Sequence, residues 1–220
     1  MKATFKINPN YMIKYLSLKS KKANKKMEKI LEEIIQELKS FFNFKAEPPL
    51  LFLIDNRKDM NLIWGKKTED WFVGAFKHGN IYILNPEIFE KESSHRREEF
   101  AQILKHEYCH VYYTQLTNGH CPSWLNEGLA CFLSGKKLIL KDGYKDKLLN
   151  IFSYFKNLNA DVYMIGQYWV QFLLKKFGKK KFISLIKAMR LISNEQQFND
   201  KFYEIYNFKF DHSSFSKFIE

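Results

Sequence analysis

The 220-residue chain reads as an α+β fold, on three observations. Its front half sets short β-patterned runs around one strongly amphipathic helix. Its middle changes to a helical period near Ser93 and Ser94. From about residue 160 onward only helical patterning remains. The sheet is expected to be small, twisted and mostly antiparallel. No linker-like stretch separates independent domains, so a single domain over 1–220 is expected, with an N-terminal α/β lobe of about 1–118, a helical C-terminal lobe of about 119–220 and a cleft between them. Hydrophobic residues make up 45% and aromatics 17%, enough for a sizeable core.

Taken in order, Thr4–Ile7 alternates polar and apolar residues and predicts a short strand. Lys25–Phe42 places Met27, Ile30, Leu31, Ile34, Ile35, Leu38, Phe41 and Phe42 at helical spacing, with Lys and Glu on the other face. After Pro48-Pro49, the apolar run Leu50–Ile54 predicts a buried strand. Residues 71–76 and Asn80–Leu84 flank His78-Gly79, a hairpin pattern that Asn85-Pro86 closes. A helix is expected over 94–116, with Glu98 and Glu99 suited to its positive end and Asn118-Gly119 as its stop. Pro122-Ser123 opens another over 124–133, with Ser123 as N-cap. Leu138 to Leu140 reads as a further strand followed by a Lys141-Asp142-Gly143 turn. Helices follow over 161–177, 180–191 and 194–206, the first two parted at Gly178.

Composition narrows the partners. No run of about 18 apolar residues exists, so no membrane span is expected. Residues 1–29 lack the apolar core of a secretory leader, which predicts a cytoplasmic location. Cys109, Cys121 and Cys131 are too few for a disulfide scaffold and read as free thiols. The net charge of +12 permits nucleic-acid contact, but the lysines fall in short clusters without interleaved aromatics, so solvated helix faces are expected rather than a nucleic-acid module.

The chemistry centres on His106-Glu107-Tyr108-Cys109-His110, an H-E-x-x-H sequence inside a predicted helix. Residues four apart share a helix face, so both imidazoles can reach one zinc ion. Glu107 projects beside that face, where it can hydrogen-bond a reactive water instead of ligating. A catalytic zinc takes three protein ligands and keeps one position open. The helix after the next turn carries Glu127, and two helices joined by so short a turn pack antiparallel, which can aim Glu127 back at the histidines.

The segment Trp124-Leu125-Asn126-Glu127-Gly128-Leu129-Ala130 resembles the W-L-N-E-G-F-A segment of aminopeptidase-N-like enzymes, and the stretch 79–135 is similar to the peptidase-MA-like gluzincins. The resemblance implies a zincin-like fold with zinc at the floor of the cleft, Glu127 as the third ligand to zinc, and Glu107 as general base. It extends into the helix beginning near Val162, where it implies Tyr163 as the hydroxyl that stabilises an oxyanion, with Tyr168 as the other candidate; either ring also reads as core packing. Sixteen residues separate His110 from Glu127, slightly fewer than in those aminopeptidases. No G-x-M-E-N segment precedes His106, so an endopeptidase on peptides or unfolded protein is expected rather than an aminopeptidase. Cys131 stands where thermolysin-like enzymes place a carboxylate.

Competing readings are specific. Glu107 can instead be an exposed helix carboxylate paired with Lys105 or Arg97. His120 and Cys121 can join the two histidines in a closed structural site. A basic, nucleic-acid-associated zinc protein and a catalytically inactive gluzincin are the functional alternatives. His78, His95 and His212 lie in no ligand pattern and are expected at the surface. By β-augmentation, a substrate would pair with an edge strand, for which Asn80–Leu84 is the expected candidate.

Overall fold

A computed structural model describes residues 4–7, 14–17, 25–120, 122–140, 143–155 and 160–219. Cys121 and the Lys141-Asp142 part of the expected turn lie outside the described residues. The chain divides into two compact units, Met1–Val111 and Tyr112–Glu220, and the boundary falls inside a helix.

The first unit is built on a five-stranded sheet in the order β1-β2-β3-β5-β4. Its strands are β1 (Thr4–Ile7), β2 (Lys14–Ser17), β3 (Leu50–Ile54), β4 (Gly74–Lys77) and β5 (Asn80–Leu84). The expected mostly antiparallel sheet is corrected to a mixed one. β1 and β2 are antiparallel, as are β4 and β5, whereas β2 with β3 and β3 with β5 are parallel. The reason lies in the connections. Helix α1 (Lys25–Phe42) leaves β2 and returns the chain to the start of β3, and such a crossover is what a parallel pair requires. The order also corrects the expected edge, because Asn80–Leu84 sits inside the sheet and β4 is the outer strand.

α1 buries Met27, Leu31, Ile34, Leu38 and Phe42, the stripe its periodicity marks. β3 and β5 alternate burial in register, with Leu51 opposite Ile81 and Leu53 opposite Ile83 on the buried side. Helix α2 (Arg57–Trp64) has no counterpart in the sequence reading. The Asn56 side chain accepts from the Asp59 N–H at 2.8 Å, and Gly65 ends the helix at φ 67°. The Arg57 guanidinium donates to Thr68 Oγ1 and to the carbonyls of Glu69, Asp70, Phe72 and Glu92, tying the following loop to the short helix α3 (Phe89–Glu92).

Helix α4 (Phe100–Thr117) begins later than expected, because Arg97–Glu99 forms a 3₁₀ turn ahead of it. The Glu99 carboxylate accepts from the Arg96 N–H at 2.7 Å, and this bond, ahead of the nearby His95, holds its pKa below the ordinary carboxylate value. His95 is half-buried, with Nδ1 3.2 Å from Glu99 Oε2 and Nε2 3.0 Å from the Trp71 carbonyl. α4 stops as predicted, with Asn118 and Gly119 both at positive φ.

In the second unit, α5 (Ser123–Leu133) is N-capped by Pro122, so Ser123 is its first residue and not its cap. The Ser123 N–H donates instead to the Phe155 carbonyl at 3.0 Å. Leu138 to Leu140 form no strand, and a 3₁₀ stretch over Lys145–Tyr154 follows, held by Trp169 Nε1 donating to the Leu148 carbonyl. α6 (Ala160–Ala188) is interrupted at Gly178, whose φ of 83° and ψ of 159° are non-helical. This is the break the sequence places there. α7 (Glu195–Tyr206) starts at the Asn194 cap, and α8 (His212–Ser216) at Asp211. Rings from these elements make an aromatic core, with Phe215 lying 4.4 Å from Trp169 and 5.1 Å from Phe210. No helix among the described residues is long and apolar enough to cross a membrane.

Candidate metal centre

α4 is apolar on most of its circumference, and its residues from Glu107 to Tyr113 are all buried. A helix hydrophobic nearly all round lies in an interior, and a polar group on it needs a reason to be there. His106 is half-buried, and Glu107 and His110 are each only 7% exposed. The two imidazoles, one helical turn apart, have ring centroids 4.8 Å apart with planes at 85°. The two rings therefore stand close enough to share one neighbour.

Glu127 supplies the neighbour. It lies on α5, half-buried, with its Oε2 shielded from solvent. One ligand atom from each of His106, His110 and Glu127 lies within 4.8 Å of the other two. Donors bonded at 2.0–2.2 Å around a tetrahedral ion stand about 3.4 Å apart, so a modest closing of three side chains places them on one ion. Two imidazoles and a carboxylate are a donor set suited to zinc with one open position. The residues therefore fit a divalent metal ion, and His106, His110 and Glu127 lie together as residues that could hold it. Among the described residues no further His, Cys, Asp or Glu joins the group.

The competing arrangements fare differently. His120 is exposed and stands outside the group, with Nδ1 3.3 Å from the Met189 carbonyl. The exposed reading of Glu107 is overturned by its burial. Its two expected partners are engaged elsewhere, Lys105 with Glu37 and Arg97 with Glu87.

Beside Glu127 lies a contact the sequence reading missed. The residue after it, Gly128, abuts Gly166 of α6 so closely that a Cβ built on Gly128 would lie 2.2 Å from the Gly166 carbonyl carbon. The sequence signal was present, since a glycine in a helix interior costs about 1 kcal/mol against alanine and is kept where backbones must approach.

This crossing also separates the two tyrosine candidates. At 100° per residue, Tyr163 lies about 60° from the direction of Gly166 and so on the side of α6 that meets α5, while Tyr168 lies about 160° away. Tyr163 is half-buried with the Lys136 ammonium 5.9 Å from its ring centroid. Tyr168 stands edge-on to Trp169 at 5.1 Å, and burial raises its pKa. Nearby, buried Gln167 donates its Nε2 to the Lys136 carbonyl and fixes the chain leaving α5. Tyr112, two residues beyond His110, is pushed up to about 12 by burial, so its hydroxyl stays protonated near neutrality.

No protein-family model matches this chain, and no curated protein matches it either.

Proposed function

We propose that the chain is a zinc-dependent peptidase of the gluzincin type with a zincin-like fold. It acts in the cytoplasm as an endopeptidase on peptides or unfolded protein segments. The observation that carries the reading is the convergence of His106, His110 and Glu127 with a buried Glu107 between the two histidines. A structural carboxylate has no need of that position, whereas a general base does.

When bound, zinc at this centre supplies a Lewis acid that lowers the pKa of a coordinated water toward about 7 and polarises the scissile carbonyl. Glu107 accepts the proton of the attacking water and returns it to the leaving amine. Its burial excludes competing solvent, so the proton it holds is delivered to the leaving group. Tyr163, on the α5-facing side of α6, donates its hydroxyl to the developing oxyanion. Gly128 and Gly166 act only through Glu127, by setting the depth at which α5 crosses α6.

The test pairs metal analysis with cleavage of an unstructured protein such as casein. The wild type is expected to bind about one zinc per chain and to lose cleavage with a chelator. Glu107→Gln is expected to keep the zinc and lose about 10²–10⁴-fold in rate. Undiminished cleavage by a zinc-loaded Glu107→Gln protein would overturn the proposal.

A further inference from the structure

The charge of this protein is not spread evenly. Residues 162–194 contain Lys175, Lys176, Lys179, Lys180, Lys181, Lys187 and Arg190 and no Asp or Glu, so seven of the net +12 reside there. All seven are exposed. Elsewhere some cations meet carboxylates, Lys105 with Glu37, Arg97 with Glu87, Lys147 with Asp161 and Lys201 with Glu204, while others such as Lys58, Lys66 and Lys67 stand exposed as single charges. Among the described residues, Lys175, Lys180, Lys187 and Arg190 have no such partner. Lys176 lies over the rings of Phe172 and Phe218, at 5.5 and 4.0 Å, and Lys181 over Phe177 at 5.9 Å, which fixes their stems while their charge stays in water.

The break at Gly178 falls among these groups. Lysines 175 and 176 end one helical segment of α6, and lysines 179, 180 and 181 begin the next. Beyond them Lys180, Ser184 and Lys187 share one face at helical spacing, opposite the fully buried Phe182, Leu185, Ile186 and Met189. Lys180 and Lys187 stand about 10 Å apart along the axis, the span of about three phosphates of one duplex strand. Unpaired like charge at this density opposes compactness, and a polyanion relieves it.

We propose that this face of α6 binds the phosphate backbone of nucleic acid without sequence preference. A membrane surface is the weaker match, because the apolar side of the helix is turned into the core and only Leu191 stands exposed at the end of the patch. Contact with phosphates by lysine ammoniums needs neither base readout nor aromatic stacking.

The experiment is fluorescence anisotropy of a labelled duplex of about 20 base pairs over a salt series, with sedimentation onto vesicles containing phosphatidylserine as the second arm. The wild-type protein is expected to bind the duplex with a log–log salt slope of about −4, as for four or five neutralised phosphates. The triple variant Lys175→Gln, Lys180→Gln, Lys187→Gln should lose at least about tenfold in affinity and roughly three units of slope. A control that removes the same charge from the first unit, Lys58→Gln, Lys66→Gln, Lys67→Gln, should stay within about twofold. All six positions are exposed, and unchanged circular dichroism melts will show that each variant folds. Equal losses in both triple variants would assign the binding to bulk charge and overturn the proposal. So would vesicle binding without duplex binding, or no binding of either.

Discussion

Gly128 on α5 and Gly166 on α6 meet backbone to backbone. A Cβ added to Gly166 would lie 2.2 Å from the Trp124 carbonyl oxygen, and one added to Gly128 would be as close to the Gly166 carbonyl carbon. No flexible side-chain end stands in the way to yield, so the helices themselves must part. Gly128→Ala and Gly166→Ala are each expected to cost about 1–3 kcal/mol or more as overpacking, read by denaturant unfolding. Because Glu127 precedes Gly128, zinc affinity should fall with them. Wild-type stability in either variant would show that the helices tolerate a wider crossing.

Metal removal should be visible as stability. A ligand bound only by the folded chain contributes about 4 kcal/mol when present at a thousandfold excess over its Kd. Zinc should therefore raise the melting temperature of the wild type, and a chelator should reverse it. Glu127→Ala is expected to lose most of that rise and at least about tenfold in zinc affinity. An undiminished rise in the variant would remove Glu127 from the ligand set.

The α5–α6 crossing divides the tyrosines in a testable way. Tyr163→Phe is expected to lower kcat by about 10²–10³-fold with KM little changed, the pattern for a donor acting on the developing oxyanion. Tyr168→Phe should leave kcat within about twofold, since its ring faces away from the crossing. Reversed effects would mean that α6 presents its other side to the substrate.

Tyr206 carries a pH dependence of its own. Its ring packs on Phe202 at 4.6 Å and Phe177 at 5.1 Å, and its hydroxyl is buried with no hydrogen-bond partner among the described residues. Burial raises its pKa well above the ordinary tyrosine value. The folded form therefore holds its proton more tightly than the unfolded chain, whose tyrosine ionises near about 10. Stability is full below that pH and declines as pH rises through and beyond it. Tyr206→Phe keeps the ring and removes the hydroxyl. It is expected to stabilise by about 1 kcal/mol at neutral pH and to flatten the alkaline decline. An alkaline unfolding profile identical to the wild type would count against the burial argument.

Local patterning by itself determined the elements with strong periodicity and clear punctuation: α1 at its full Lys25–Phe42 extent, β3, the β4–β5 hairpin (though β4 begins at Gly74 and not at Trp71), the stop at Asn118-Gly119 and the break at Gly178. It also determined that His106, Glu107 and His110 would share a helix, because helical spacing is a short-range property. Only the tertiary structure decided the rest. β2, and with it the parallel pairing of the sheet, depends on which strand a crossover returns to. The burial of Glu107 and its separation from Lys105 depend on residues far away in the chain, Glu37 among them. The backbone contact between two glycines 38 positions apart, 128 and 166, takes on meaning only once α5 and α6 cross. Spacing along one helix specifies its faces, while the depth and angle at which another helix packs against it are set by the atoms that meet there.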